Sequence, residues 1–354
     1  TSGKRENYLV SFFGRLNYTF MDRYLFTATV RNDGTSKFSE DNRWGLFPSF
    51  ALAWKINEES FLQGIEEINE LKLRVGYGET GQQNVVSDWY PYMPLYVDGY
   101  NTAAYQFGNE WLQTYRPSAY NKDLKWETTK TLNLGLDFTL FNDRINGSFE
   151  IYKKKTVDLI NYVNVAAGTN LSNFIYANVG EMENNGVEFT LNTRPVVTKD
   201  LAWNLGVNLG YNKSEITKLL LSDVDGYVGI MTGGISGGVG NTIQNHNVGY
   251  SPYAFFVYQQ VYDADGNPIE GLYVDRSGNG GSVSSSLDNK YHYKKPDPDV
   301  TIGINSSLRY KQWDASFSGR LYLGNYVYNN VNSDRALYSS IYNQSGFLNN
   351  VPTS

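Results

Sequence analysis

A chain of 354 residues carrying 29 Tyr, 18 Phe, 7 Trp and 34 Gly favours strands and turns over helices. Its net charge of −6 argues against a nucleic-acid partner, and the absence of cysteine excludes disulfide frameworks, thiolate metal sites and thiol nucleophiles. No stretch approaches ~18 apolar residues, so no transmembrane helix is expected. The first residues, "TSGKRENYLV", run straight into a strand pattern and the last, "GFLNNVPTS", stop in polar loop-like sequence, so the chain reads as a fragment.

Period-two alternation begins at once. Tyr8, Val10, Phe12, Gly14, Leu16, Tyr18 and Phe20 take one face, and Leu9, Ser11, Phe13, Arg15, Asn17 and Thr19 the other, which predicts a strand. Met21–Arg23 is a short turn. Tyr24, Phe26, Ala28 and Val30 then continue the apolar row against Thr27, Thr29, Arg31 and Asp33. The stretch "RNDGTSKFSEDNRWGLFPS", Arg31–Ser49, holds Asp33-Gly34, a two-residue hairpin signal. Parity argues against that turn, because Arg31 and Asp33 fall on the polar face and Trp44 restarts the apolar one. A compact loop is predicted in between, with Asp33 and Arg31 or Arg43 facing water or each other. Trp44, Leu46, Pro48, Phe50, Leu52 and Trp54 form the next strand, with a bulge or gap expected at Pro48, which lacks a ladder donor.

The acidic stretch Ile56–Glu70 has mixed period and predicts one short helix. Strands follow at Leu71–Tyr77, Leu132–Leu140, Ile145–Ile151, Val187–Leu191, Leu201–Tyr211, Val300–Tyr310 and Trp313–Leu321, which makes about ten in all. Many are ~10–13 residues long, against a usual ~5–6. Met21–Arg23, Asn142-Asp143, Pro195–Asp200 and Lys311-Gln312 are short connections. Gln82–Lys125, Lys154–Asn178, Ser214–Pro298 and Gly324–Ser354 are predicted as long loops. Short turns at one end and long loops at the other are the pattern of a transmembrane β-barrel.

A soluble multi-sandwich protein would alternate too, and two features favour the membrane. The apolar face is almost free of charge, with Lys130 and Lys153 intruding only near long-loop ends; a lysine at the bilayer midplane would cost ~2–4 kcal/mol. Aromatics also gather at strand ends on that face, at Tyr8, Phe20, Tyr24, Trp44, Trp54, Tyr77, Trp126, Trp203, Tyr211, Tyr310 and Trp313, like two interfacial girdles. The opposite face carries Arg15, Arg31, Asp33, Lys55, Lys72, Arg74, Asp137, Arg309, Asp314 and Arg320, which suits a wet lumen. Arg31, Asp33, Arg74 and Arg320 are taken as lumen-facing polar candidates.

Three motifs invite a different chemistry. "GYGETG", Gly76–Gly81, matches a dinucleotide fingerprint, but "QQNVVSDWYPYMP" follows where a helix is required, so lumen-facing glycines of a strand are the better reading. "GISGG", Gly234–Gly238, matches a nucleophile elbow without its strand-turn-helix setting, and the only histidines, His246 and His292, lie elsewhere in the same loop region. "DRSGNGGSVSSSLD", Asp275–Asp288, resembles a calcium loop through Asp275, Ser277, Asn279 and Gly280, but Ser286 stands where the bidentate acid belongs and Asp288 comes two places late. No catalytic residue, metal or cofactor is assigned. Aromatics of the first long loop, chiefly Trp89, Tyr90, Tyr92, Trp111 and Tyr115, are candidates for stacking on sugar or anchoring a protein partner, or for packing the loops together.

"MDRYLFTATVRNDGTSKFSEDNRWGLFPSFALAWKI", "LKLRVGYGETGQQ", "LKWETTKTLNLGLDFTLFNDRINGSFEIYKKKTVDLI", "NVGEMENNGVEFTL" and "PDPDVTIGINSSLRYKQWDASFSGR", in this order, resemble the SusC/RagA-like TonB-dependent outer-membrane transporters over nearly the whole chain. The resemblance implies an all-β fold, an antiparallel transmembrane β-barrel of 22 strands, of which residues 1–354 would be a partial barrel domain with long extracellular loops and short periplasmic turns. The plug, about nine preceding strands and about three closing strands would be absent from it. The resemblance further implies import of nutrient oligosaccharides or peptides, not catalysis, across the cell outer membrane. Its partners would be outer-membrane lipid, a SusD-like surface lipoprotein and the TonB–ExbB–ExbD machinery acting through the plug. A surface adhesin or glycan-binding module is the alternative.

Overall fold

A computed structural model describes residues 6–83, 89–100, 102–220, 227–236, 241–276, 280–283 and 287–335. Ten long strands form one sheet: β1 (Leu9–Phe20), β2 (Tyr24–Thr35), β3 (Trp44–Lys55), β4 (Ile68–Gln82), β5 (Glu127–Leu140), β6 (Ile145–Asn164), β7 (Phe174–Val197), β8 (Leu201–Lys218), β9 (Val300–Tyr310) and β10 (Trp313–Leu323). They neighbour one another in chain order, and β1 and β10 stand at the two edges. No helix of the described residues is long and apolar enough to cross a membrane, which says nothing of strands.

Register turns sequence alternation into two continuous faces, because residues directly opposite in an antiparallel pair point the same way. Ala28 meets Phe50, Phe50 meets Tyr77, and Tyr77 meets Leu132. On the other face Lys55 meets Lys72, Lys72 meets Asp137, and Asp137 meets Ser148. Along β5 the apolar row runs from Leu132 to Leu140, which fits the ~9–11 residues a tilted strand needs to cross a bilayer. Phe12, Leu16, Leu46, Leu52 and Leu132 are all exposed on this face. A soluble sheet would bury such a row; its exposure is what the lipid-facing wall expected from the alternation requires.

Short turns close the hairpins with consecutive left-handed residues, Met21 and Asp22 in the first and Phe141, Asn142 and Asp143 in the third. The connection from β3 to β4 begins as a single 3-10 turn, Ile56–Glu58, and continues as turns rather than a longer helix. It is fastened by Glu59. The Tyr24 hydroxyl and Trp54 indole donate to its Oε1 at 2.6 and 3.0 Å, and Arg23 Nη1 donates to its Oε2 at 2.8 Å. Two girdle aromatics thus keep their rings on the apolar face and put their polar tips on a carboxylate at its edge. The Tyr24 hydroxyl first, with Trp54 and Arg23, holds the Glu59 carboxyl below the ordinary carboxylate range. A carboxyl depressed on folding stabilises above its unfolded pKa and loses that contribution as pH falls through the folded value. Trp54 fluorescence is therefore expected to stay constant through neutral pH and to shift only in acid, with the transition abolished in Glu59→Ala.

Several expectations are corrected at the long-loop end. The ladder between β2 and β3 runs on through Asp33–Gly45 and Gly34–Trp44, so the loop shrinks to residues 36–43. A Cβ on Gly34 would sit 2.8 Å from the Trp44 ring, so this glycine admits an indole rather than turning the chain. No bulge interrupts β2–β3 at Pro48, but pairing of β3 with β4 reaches only from Lys55 to Ser49 and stops beside it. Residues 154–178 are mostly strand: β6 and β7 stay paired out to Asn164 and Phe174, with a bulge between Thr156 and Leu159. There the extension packs locally, burying Val163, Ala177 and Val179 with Ile175 and Leu220 against them, so its pattern no longer follows a lipid face although the ladder persists. Glu127 Oε1 accepts the Ile160 amide at 2.7 Å, and Asn178 Nδ2 donates to the carbonyls of Asp158 and Lys125 at 2.7 and 2.9 Å, pinning that bulge.

The chain divides into two compact units. The first comprises Thr1–Gly210, Thr217–Asp223 and Gly303–Gly319, and so holds nearly all of the large sheet. The second comprises Tyr211–Ile216, Val224–Ile302 and Arg320–Ser354. Within it, strands 230–234, 242–246, 254–257 and 291–292 form a small sheet, and 260–262, 268–274 and 282–283 another. Among the described residues of this unit, Ile216, Ala254, Phe255 and Phe256 are buried apolar groups, and Asn245 is fully buried.

Candidate functional site

The polar face of the first unit is a wall of hydrogen-bonded charge. Arg74 on β4 grips Asp137 on β5 with two bonds of 2.8 Å, through Nε and Nη2, and Nη2 also reaches Glu150 on β6 at 3.3 Å. Lys72 Nζ lies 3.0 Å from Asp137 Oδ2 and 3.0 Å from Glu70 Oε1. The guanidinium lies flat over Gly135, its register partner, where a Cβ would stand 2.8 Å from Nη2. Arg74 is thus a clamp joining three strands, its fork committed to two carboxylates.

Arg31 and Asp33 meet as the parity of β2 places them. Arg31 Nε donates to both oxygens of Asp33 at 2.8 Å, and Nη2 donates to Ser11 Oγ at 3.0 Å. Asp33 is buried and Arg31 half-exposed. Arg43 instead offers its carbonyl to the Trp126 indole at 3.0 Å. Arg320 belongs to the second unit, where Nη1 donates to the Tyr322 hydroxyl at 3.1 Å and the side chain is exposed.

Alternation misplaced one girdle residue. Trp126 is 7% exposed and packs edge-on against Phe38 and Phe47 at ring distances of 5.9 and 5.5 Å, with Leu124 completing the cluster. It stands one residue before β5 begins, so strand parity does not bind it, and the chain carries its ring onto the polar side of the sheet. Phe47, in turn, overlies Gly45 and Gly81, where a Cβ would clash with its ring. This explains part of the Gly76–Gly81 motif. The motif lies wholly within β4, Gly76 admits Asn133, Gly81 admits Phe47, and no phosphate cradle is formed. A signal for the cluster existed in Phe47, an aromatic residue on the polar parity of β3, and in Phe38 and Leu124, apolar residues in otherwise polar loops.

The aromatics of the first long loop separate into two groups. Trp89, Tyr90 and Tyr92 are half-buried, and the Tyr90 hydroxyl donates to the Glu6 carbonyl at 3.2 Å. Trp111 and Tyr115 are 66% and 69% exposed on a hairpin in which 104–107 pairs with 110–113 and 96–98 with 115–117. Tyr96, Tyr105 and Phe107 are exposed on the same hairpin, and Arg116 lies over the Tyr100 ring at 4.9 Å.

The two histidines are packing groups of the second unit. His292 stacks on Tyr250 at 3.6 Å with Nε2 3.2 Å from Asn245 Oδ1, and His246 meets Tyr253 edge-on at 4.4 Å. Burial lowers the pKa of both. Ser236 exchanges hydrogen bonds with Asn330, giving it no base; Gly237 and Gly238 lie outside the described residues. So do Ser277, Asn279 and Ser286 of the calcium-like loop. Among the described residues no group of three His, Asp or Glu side chains could hold a metal ion.

Residues 1–322 match the family model described as TonB dependent receptor-like, beta-barrel. The chain is 49% identical over 350 residues to the TonB-dependent receptor SusC of Bacteroides thetaiotaomicron, covering 99% of this chain and 34% of that protein. It is 38% identical over 332 residues to the TonB-dependent receptor P26 of Formosa agariphila, covering 91% and 32%. Among solved structures, the RagAB peptide importer in the open-open state aligns with a TM-score of 0.77 at 26% identity, over 93% of this chain and 34% of that one. The chain thus spans about a third of the length of the curated relatives it matches. With a ten-stranded antiparallel sheet whose apolar face is as tall as a bilayer core, a polar face of clamped charge and sequence kinship along nearly its whole length, the chain belongs to the SusC-like branch of the TonB-dependent receptor β-barrel family of the outer membrane.

Proposed function

We propose that the chain is the C-terminal part of the barrel of a SusC-like importer, which takes nutrient oligosaccharides or peptides across the outer membrane. Residues 1–354 act as one partial barrel domain, completed by a plug and further strands supplied by the rest of a protein about three times as long. The observation that carries the reading is the ten-stranded sheet with one lipid face and one charged polar face, on a chain 49% identical to SusC.

In this reading a SusD-like lipoprotein delivers ligand between the long loops. Trp111 and Tyr115, exposed on their hairpin, make the first contacts with ligand or lipoprotein, while Trp89, Tyr90 and Tyr92 support the base of that loop. Ligand then passes Arg31, Asp33 and Arg320, with Arg74 holding the wall. TonB–ExbB–ExbD acts through the plug, and the protein catalyses no covalent step. Aromatic rings that can stack on sugar faces favour a glycan, while the similar RagAB is a peptide transporter.

Uptake of labelled oligosaccharides and peptides by cells expressing the full-length protein tests this, with and without TonB. TonB-dependent accumulation of one class is expected, and Trp111→Ala with Tyr115→Ala should weaken half-saturation by about tenfold, as loss of one or two aromatic anchors does. Ligand binding with no TonB-dependent accumulation would overturn import in favour of an adhesin or glycan-binding module.

A further inference from the structure

We propose that the lipid-facing wall carries a site for the phosphate of an outer-leaflet lipid, built from Lys130, Lys153 and Lys155. Register puts Leu73, Leu136, Phe149 and Phe189 side by side across β4–β7, and next to them Val75, Leu134, Ile151 and Val187. One row nearer the long loops come Tyr77, Leu132, Lys153 and Asn185. The row after that is wholly charged: Glu79, Lys130, Lys155 and Glu183. Three lysines of two adjacent strands therefore stand where the apolar band ends, with side chains 47%, 56% and 41% exposed in the order Lys130, Lys153, Lys155.

Two of them have carboxylate partners at hydrogen-bond distance and the third only a longer ion pair. Lys153 Nζ lies 2.9 Å from Glu183 Oε2, and Lys155 Nζ lies 2.8 Å from Glu181 Oε2. Lys130 is placed differently. Its nearest carboxylate oxygen, on Glu79, is 4.0 Å away, beyond hydrogen-bond reach, and that carboxylate oxygen already takes the Tyr77 hydroxyl. Lys130 also directly opposes Lys155 in the β5–β6 ladder, where like charges repel.

An anion between Lys130 and Lys155 answers both features, since it gives the Lys130 ammonium an acceptor and offsets the repulsion. The ground beneath is apolar: Leu132, Leu134 and Ile151 run from the lysines toward the short turns and are exposed. A soluble anion has no use for that surface. A lipid does, because its acyl chains cover the leucines while its phosphate reaches the first charged row, and lysines at such a boundary attract anionic headgroups. The site lies on the long-loop side, which places the lipid in the outer leaflet. The inference rests on the membrane-barrel reading.

The test is native mass spectrometry of the full-length protein purified from its own membrane, comparing wild type, Lys130→Gln/Lys155→Gln and Lys154→Gln. Lys154 neighbours the site in sequence but points to the opposite face. Wild type and Lys154→Gln are expected to retain phosphate-bearing lipid, and the double variant to retain on the order of tenfold less. Equal retention in all three, or displacement by inorganic phosphate without any lipid bound, overturns the site and leaves the barrel standing. Absence of every lipid from all three would overturn the barrel reading itself, and the site with it. Should the double variant fail to fold, Lys130→Gln alone, which breaks no hydrogen bond, carries the same comparison.

Discussion

Replacing Trp126 by alanine in the full-length protein is expected to destabilise it by about 3–5 kcal/mol, the range for emptying a buried aromatic site. Trp126 is 7% exposed, contacts Phe38 and Phe47, and satisfies the Arg43 carbonyl through its indole N–H. The substitution removes both the packing and that hydrogen bond. Because Phe38 and Arg43 belong to the short loop 36–43, the loop should loosen before the rest of the sheet. Gly81→Val acts on the same cluster from the other side by driving a side chain into the Phe47 ring, with overpacking costing ~1–3 kcal/mol. Heat-dependent gel mobility and protease cutting within 36–43 read both effects. Unchanged heat resistance in Trp126→Ala would return that ring to the lipid girdle that alternation predicts for it.

Arg74→Met is expected to cost about 2 kcal/mol, as hydrogen bonds to charged groups do when their remaining partners are left without one. The variant strips Asp137 of its bidentate partner and Glu150 of its cation, while Lys72 continues to hold Asp137. Arg74 and Asp137 side chains are 32% and 23% exposed, which keeps the figure below that of a fully buried pair. Pairing the change with Asp137→Asn separates the clamp from general loss of charge. If Arg74 works through Asp137, the double variant costs less than the sum of the two single ones. Additive costs would instead mark Arg74 as free to serve ligand, with a larger effect on uptake than on heat resistance.

Much of the architecture was legible in the chain itself. Ten strands, their two faces and the short turns follow from alternation, because charge is costly on a face that meets lipid; parity put Arg31 and Asp33 on one face, and the structure showed them paired. The sequence blocks that resemble SusC-like transporters carried the family. Nothing in the alternation marked Glu59 as the partner of Tyr24, Trp54 and Arg23, since that contact joins a turn to two strand ends. Nor did it mark Glu127, whose carboxylate serves a bulge 33 residues away.

What only the tertiary structure decided lies where the lipid stops. Past the charged row β6 and β7 pack locally, burying Val163, Ala177 and Val179, so the sequence loses the lipid-set period while the ladder continues to Asn164 and Phe174. Trp126 leaves the apolar row because it precedes its strand, and Gly45 and Gly81 leave Phe47 room beside it. Lys130 and Lys155 are 25 positions apart and become neighbours only through register. Alternation reports which face a residue takes within one strand. Which residues share a height across several strands is set by backbone pairing, and the wall's charge clamp and its row of lysines both depend on that.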